Sequence, residues 1–244
     1  MAKLKVPSLQ HLARIWQPDP RAICKTLVNL AKNGPIFSYE PLHQLVRDML
    51  LLRVPYWQIV EGIERAVKQE SVKENFLSLL PLIDSHFSAT EPTFVHAVAP
   101  RYYPVGRELL IPFRPPLIYG SRGLIHFPWL SFWRVNPLSA ERLSLFVSIV
   151  DDVLLQDSDL EEASFEILDF SAPAPKRPRE LSVIQARDIP RLSASNKAEM
   201  LSVFADGFLM AQEELRLNPV ARKVPVDEKQ DKGIADDQMP LFEI

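Results

Sequence analysis

Glycine and cysteine are both scarce in this 244-residue sequence, and each shortage excludes a class of site. There are 7 glycines, where average usage gives about 17, and the closest two are Gly120 and Gly123. Loops that cradle phosphates need several glycines close together, so neither a Rossmann nor a P-loop nucleotide enzyme is expected. The single cysteine, Cys24, excludes an intrachain disulfide and a cysteine-rich zinc site.

Long apolar runs and a strong net charge are missing as well. No stretch approaches the roughly 18 apolar residues of a membrane helix, and the first residues lack the apolar segment of a signal peptide. We therefore expect a cytoplasmic protein without a membrane partner. The net charge of -3 gives no general attraction to nucleic acid, so such contact needs a local basic surface.

Motifs of common catalytic and metal sites are also absent from the sequence. There is no G-x-S-x-G nucleophile turn, and the five histidines are scattered without an H-E-x-x-H pair. Asp157, Asp159 and Glu161 alternate like calcium ligands, but the glycine and final glutamate of a calcium loop are missing. We predict no catalytic residue, no metal site and no cofactor.

Residues 1–88 are predicted to form a helical bundle. Apolar residues recur three and four positions apart, as in Leu27, Leu30 and Ala31. Two of the helices are joined by a few residues around Arg53, which is the connection length of a helix-turn-helix. The second of these helices carries few basic residues, so packing in the bundle is the preferred interpretation. The predicted helices are 7–16, 20–32, 39–51, 55–69 and 71–87.

Residues 89–217 are predicted to form an α+β domain whose antiparallel sheet is covered by helices. The stretch 88–104 is rich in proline and small residues and has no helical period, so the domain boundary is placed there. After it, short apolar runs are divided by turn residues, which is typical of antiparallel strands. The predicted strands are 107–114, 116–119, 124–133 and 164–171, and the predicted helices are 138–156 and a last one, capped by Ser193, Ser195 or Asn196, that ends near Leu217.

Arginines and aromatic residues are interleaved between residues 101 and 134. Five arginines stand against a single acid, Glu108, so the local net charge is 5 minus 1, or +4. Guanidinium groups pair with phosphates and bases stack on aromatic rings, which favours a nucleic-acid surface. The same composition also builds an ordinary sheet with aromatic residues in the core and arginines in water, and both interpretations stay open. The candidate nucleic-acid residues are Arg101, Arg107, Arg114, Arg122, Arg134, Trp129 and Trp133.

The predicted strand 164–171 ends in Ile167, Leu168, Asp169, Phe170 and Ser171. These residues resemble the acidic strand of RecB-type nucleases, in which an apolar pair precedes an aspartate, an aromatic residue and a lysine. The resemblance implies a metal-binding carboxylate at Asp169. Ser171 replaces the lysine, and the preceding hairpin lacks a second metal-binding aspartate, so the resemblance implies an inactive or atypical relative.

Residues 218–244 are predicted to form a disordered tail, because they are charged and contain few large apolar residues before position 239. The tail contains Gln238, Met239, Pro240, Leu241 and Phe242, which resemble the bacterial sliding-clamp-binding motif. The resemblance implies that Gln238 hydrogen-bonds at the rim of a groove, Met239 fills a shallow site, and Leu241 and Phe242 enter a deep apolar pocket. An apolar segment on a charged tether suits capture by a partner's groove. The alternative is that this segment packs back on its own domain.

Together these features predict a non-catalytic, DNA-associated accessory protein that is recruited to a sliding clamp in replication, repair or mobile-element function. One alternative is a degenerate or atypical metal-dependent nuclease built on the Asp169 strand. The other is a protein-interaction scaffold that does not contact DNA.

Overall fold

A computed structural model describes residues 4–33 and 38–219 of the chain. They form the α+β fold that the sequence predicts. The predicted tail from residue 220 onward, with the peptide 238–242, lies outside the described residues. The helices are α1 (Leu9–Ile15), α2 (Pro20–Asn33), α3 (Glu40–Leu52), α4 (Tyr56–Ala66), α5 (Glu70–Leu77), α6 (Leu80–Phe87), α7 (Glu141–Leu154) and α8 (Ala194–Leu217). The strands are β1 (Phe94–His96), β2 (Arg101–Pro104), β3 (Leu110–Phe113), β4 (Ile118–Ser121), β5 (Leu124–Ser131), β6 (Ser164–Asp169) and β7 (Ser182–Gln185).

The main sheet has five strands in the order β1-β4-β5-β6-β7, and β2 and β3 form a separate antiparallel pair. Strands β4 and β5 form a hairpin whose turn contains Arg122 and Gly123, both at positive φ. The prediction of a wholly antiparallel sheet is wrong, because β5 and β6 run parallel. Helix α7 connects these two strands, and a crossover helix of this kind returns the chain to the same end of the sheet. The carboxyl ends of β5 and β6 therefore lie side by side.

Helices cover both faces of the main sheet. Phe165 and Ile167 of β6 join one hydrophobic cluster with α1, α2, α7, α8 and the β2–β3 pair. Leu168 of β6 and the adjacent Phe170 join a second cluster with α3, α4, α5 and α6 on the other face. Alternate residues of a strand point to opposite faces, so β6 is buried on both sides. The first six helices are thus divided between two clusters, and neither cluster ends at the predicted boundary after residue 88.

The observed bounds of the helices and strands correct two local predictions. The predicted helix 71–87 is divided into α5 and α6, and Pro81 stands in the first turn of α6. Proline lacks the N–H that a continuous helix would use, so it begins a new helix at this point. The predicted boundary stretch 88–104 contains β1 and β2, which are only three and four residues long.

Helix α8 packs along α2 at very short range. A Cβ atom at Gly207 would lie 2.7 Å from Cβ of Ile23 and 2.7 Å from the carbonyl oxygen of Pro20. Of the three predicted capping residues, Ser193 caps the helix, because its hydroxyl accepts a hydrogen bond from the Asn196 backbone N–H at 3.2 Å. In the described part of the chain, no helix has both the length and the apolar character needed to cross a membrane.

Candidate functional site

The two tryptophans predicted to stack on bases contribute to the core. Trp129 is only 5% exposed, and its ring packs against Phe113 and Phe146. Trp133 is partly buried, and the guanidinium carbon of Arg14 lies 5.4 Å from the centre of its ring. Trp129 is thus unavailable for stacking, and Trp133 already has a cation on its ring.

Two of the predicted arginines are paired with acids of the same chain. Arg101 forms an ion pair with Asp157, just beyond the end of α7. Arg107 Nη1 lies 2.7 Å from Asp206 Oδ1 of α8. A phosphate would have to compete with these carboxylates, so both positions are weak candidates for DNA contact.

The other three predicted arginines are exposed, but they do not lie together on one surface. Arg114 follows β3, Arg122 lies in the turn before β5, and Arg134 follows the end of β5. Strand β5 has 8 residues. At about 3.3 Å per residue it separates Arg122 from Arg134 by roughly 25 Å. The seven predicted residues therefore do not form a common site.

A buried arginine organises the edge where β5 and β6 end. Arg179 is 6% exposed, and its Nη1 donates to the carbonyl oxygens of Phe132, Trp133 and Phe170 at 3.1, 3.1 and 2.9 Å. Its Nη2 donates to Asn75 Oδ1 at 2.6 Å. Burial lowers the pKa of Arg179. The guanidinium thus satisfies carbonyl groups from both chain segments that leave the parallel pair.

Asp169 lies at the same edge and is 5% exposed. Its carboxylate accepts hydrogen bonds from Asn136 Nδ2 at 2.8 Å and from Ser171 Oγ at 3.0 Å. Burial raises the pKa of Asp169, and the hydrogen bonds from Ser171 and Asn136 oppose that rise. Ser171, which replaces the lysine of the nuclease pattern, therefore holds the Asp169 carboxylate in place. Among residues 4–33 and 38–219, no three His, Cys, Asp or Glu side chains come together to hold a metal ion.

Exposed cations lie on the segments next to these two buried groups, and we name them the carboxyl-edge surface: Arg14, Arg134, Lys176 and Arg177. Arg134 Nη2 donates to the Arg177 carbonyl oxygen at 3.2 Å, so the loop 172–181 lies against the end of β5. Within the described ranges, no carboxylate lies within ion-pair distance of these four side chains. Three prolines in the loop restrict its backbone and hold its cations outward.

A row of four polar side chains crosses the main sheet on the face covered by α3–α6: Tyr119, His126, Glu166 and Gln185. The His126 ring stacks on Tyr119 with centroids 4.7 Å apart, and its Nδ1 lies 3.6 Å from Glu166 Oε1. Gln185 Nε2 donates to the same Glu166 oxygen at 3.2 Å. Burial raises the pKa of Tyr119 to about 12, and the charge of Glu166 adds to this rise. The four residues come from the adjacent strands β4, β5, β6 and β7, so their contacts link these strands side by side.

Comparison with protein-family models and with curated proteins finds no match for this chain.

The sequence contains one signal for the carboxyl-edge surface, which is the basic loop of Lys176, Arg177 and Arg179 between prolines. Of the seven predicted nucleic-acid residues, only Arg134 belongs to this surface. Trp133 lies beside it beneath Arg14. Arg14 was missed because it belongs to α1, more than one hundred residues earlier in the chain.

Proposed function

We propose that the protein is a cytoplasmic, non-catalytic accessory factor that contacts DNA through the carboxyl-edge surface and is recruited to a sliding clamp through Gln238, Met239, Leu241 and Phe242. The carboxyl-edge surface carries the DNA part of this proposal. Its four cations have no carboxylate partner within the described residues, whereas Arg101 and Arg107 do. Unpaired guanidinium and ammonium groups bind backbone phosphates without first breaking an internal ion pair.

The position of this surface also supports the proposal. It lies at the carboxyl ends of two parallel strands, which is where open sheets with crossover helices most often bind ligands. Arg179 fixes the ends of both strands, so the loop that presents Lys176 and Arg177 has a rigid base. Preorganised cations lose less conformational entropy when a partner binds than cations on free chains do.

Salt dependence of DNA binding tests the DNA contact. The double variant Arg134→Gln/Arg177→Gln should reduce the slope of log K against log salt by about 1.8 on duplex DNA, since each phosphate contact contributes about 0.9. Arg101→Gln/Arg107→Gln removes the same two charges and serves as the matched control. It should leave the slope unchanged, because these arginines are paired with Asp157 and Asp206.

Equal slopes for the two double variants would refute a phosphate-binding role for the carboxyl-edge surface. If the unmodified protein also fails to retain DNA at low salt, the scaffold alternative without DNA contact becomes the better explanation.

Calorimetric titration of a purified bacterial sliding clamp tests recruitment. Binding by the full chain should be abolished by Leu241→Ala/Phe242→Ala, since these two side chains are assigned to the deep pocket of the partner. Glu243→Ala changes the residue beside the motif and should bind like the unmodified chain. Failure of the unmodified chain to bind the clamp would remove recruitment from the proposal and leave the DNA contact to be judged by its own test.

A further inference from the structure

An exposed apolar surface lies where α3 ends and α4 begins. Leu51 and Leu52 are 54% and 49% exposed at the end of α3. Tyr56 and Trp57 are 39% and 62% exposed at the start of α4. Arg53 stands between them at a φ of 55°, the left-handed conformation that ends α3, so both pairs lie within seven residues of the α3–α4 connection. We name residues 51–57 the α3–α4 turn surface.

Packing of the fold does not require these side chains. Helix α4 is held to its neighbours by Ile59 and Ile63, which are 1% and 0% exposed. Tyr56 and Trp57 therefore stand outside the core in a helix that already has a buried face. Tryptophan, tyrosine and arginine are the residue types that contribute most at protein-binding sites, and here they are adjacent.

We propose that the α3–α4 turn surface binds residues 239–242 of the same chain, in competition with the sliding clamp. This inference rests on the proposed function, because the segment that docks is the segment assigned to the clamp. The surface offers leucine, tyrosine and tryptophan side chains, and the segment offers Met239, Leu241 and Phe242. Apolar side chains on both partners gain free energy when they leave water together.

The chain between the fold and the segment is long enough for this contact. Eighteen residues separate Pro219, the last described residue, from Gln238. Such a tether spans at most about 65 Å when extended. A compact fold of about 210 residues is roughly 45 Å across. The tether is therefore long enough for the segment to reach most of the surface of the fold without rearrangement of the helices.

Charge around the turn also favours this occupant. The Arg53 guanidinium donates to the Thr90 carbonyl oxygen at 2.7 Å, so its charge is not cancelled by a described carboxylate. The nearby Glu61 is already bonded to Arg65 at 2.5 Å. Asp236 and Asp237 precede the apolar segment, separated from it by Gln238 alone, so docking brings two carboxylates towards the charge of Arg53.

Tethering favours the chain's own segment over a second copy of the protein. A segment linked to its site has an effective concentration of about 1 mM. A second molecule at about 1 μM has a thousand-fold lower concentration. For the same contact, binding within the chain therefore dominates in dilute solution.

Acrylamide quenching of tryptophan fluorescence tests the contact without the clamp. Trp57 is the most exposed tryptophan of the described chain, whereas Trp16 and Trp129 are 8% and 5% exposed. The unmodified chain should be quenched less than Leu241→Ala/Phe242→Ala, because the docked segment shields Trp57. In a Trp57→Phe background the same tail substitutions should make no difference. Equal quenching of both chains overturns the inference.

Dependence on protein concentration separates the two occupants. Protection of Trp57 that stays constant on dilution is the result expected for the chain's own segment. Protection that disappears on dilution, together with a doubled mass in light scattering, assigns the surface to a second copy and overturns the inference.

Clamp affinity gives a second, independent readout. For an internal contact with a dissociation constant of about 100 μM and an effective concentration of about 1 mM, docked chains outnumber undocked chains about ten to one. It therefore weakens clamp binding about ten-fold, and Trp57→Ala should restore that factor. Leu155→Ala, at a side chain that is 68% exposed elsewhere, should leave the affinity unchanged. Equal clamp affinity of Trp57→Ala and the unmodified chain also overturns the inference.

These measurements distinguish failure of the inference from failure of the proposed function. Tail-dependent quenching without any clamp binding keeps the internal contact and removes recruitment. If the unmodified chain binds the clamp, but the tail variant is quenched equally and Trp57→Ala binds with equal affinity, recruitment is supported and the internal contact is refuted.

Discussion

Replacing Arg179 should destabilise the fold far more than replacing its exposed neighbour Arg177. Arg179 is 6% exposed and gives hydrogen bonds to the carbonyl oxygens of Phe132, Trp133 and Phe170 and to the Asn75 amide oxygen. Arg179→Met keeps a long apolar stem but removes every one of these donors. The three carbonyl groups would then be buried without their guanidinium partner.

Two opposing contributions determine how much the free energy of unfolding falls. Each buried acceptor left without a partner costs about 1–3 kcal/mol. Removing the charge recovers part of its desolvation cost, and the methionine side chain gains from burial. A net loss of about 4 kcal/mol is expected, which for a chain of this size lowers Tm by about 8–16 °C. Arg179→Lys retains the charge but lacks the planar set of donors, so we expect about half of this loss.

Urea denaturation followed by tryptophan fluorescence, with calorimetry for Tm, measures both variants. Arg177→Met is the matched control, since this side chain is exposed in the same loop and should change stability by less than about 0.5 kcal/mol. A loss below about 1 kcal/mol in Arg179→Met would refute the reasoning. The same conclusion would follow if Arg179→Lys were as stable as the unmodified protein.

Two further predictions concern stability. Burial lowers the pKa of His43 to about 4, partly opposed by Glu40. The unfolded chain therefore binds more protons between pH 6.5 and 4, and stability should fall by about 2 kcal/mol from pH 7 to pH 5 on account of this residue. Between pH 7 and pH 5, the free energy of unfolding of His43→Phe should fall correspondingly less than that of the unmodified protein, as measured by urea titration. An equal fall in both proteins would contradict the assignment of this pH dependence to His43. Gly207→Ala should lower stability by about 1–3 kcal/mol in the same assay, because its Cβ would meet Ile23, although alanine favours helix. Ser202→Ala, on the exposed side of α8, should instead be neutral or slightly stabilising, and the same result for Gly207→Ala would argue against close packing of α2 and α8.

Elements with strong local signals could be predicted from the sequence. Helix α8 begins directly after Ser193 because a serine side chain caps the free N–H groups of the first turn, and that preference is local. The α+β class follows from the change in apolar spacing after residue 88. The direction of β6 relative to β5 could not be predicted, because a strand buried on both faces has the same apolar pattern in either direction. Strands β1 and β2 are too short to show an alternating pattern.

The candidate site was predictable only in part, for a related reason. Arg179 stands among prolines and charged residues, which is typical of an exposed loop. It is buried because carbonyl groups after β5 and β6 converge on it, and these groups lie up to 47 residues earlier in the chain. Trp129 fits either a stacking surface or a core by composition, and only its contacts with Phe113 and Phe146 distinguish them. The peptide 238–242 was found from its sequence, and its role stays a prediction.

The parallel pairing of β5 and β6 also explains how charge is distributed over the molecule. Because α7 starts near the carboxyl end of β5 and leads back to the amino end of β6, its last turn lies at the opposite edge of the sheet. The acids Asp151, Asp152 and Asp157 belong to that edge, where they pair with Arg191, Lys197 and Arg101.

The carboxyl edge has a different balance. There Arg179 is satisfied mainly by carbonyl oxygens and an amide, and Asp169 by hydroxyl and amide donors. The exposed cations around them consequently lack carboxylate partners among the described residues. A chain with a net charge of -3 can therefore carry unpaired cations at this edge, since its sheet topology places Asp151, Asp152 and Asp157 at the other edge. Of the five arginines that composition alone assigns to DNA, Arg101 and Arg107 pair with acids, whereas Arg134, which follows β5, belongs to the carboxyl edge.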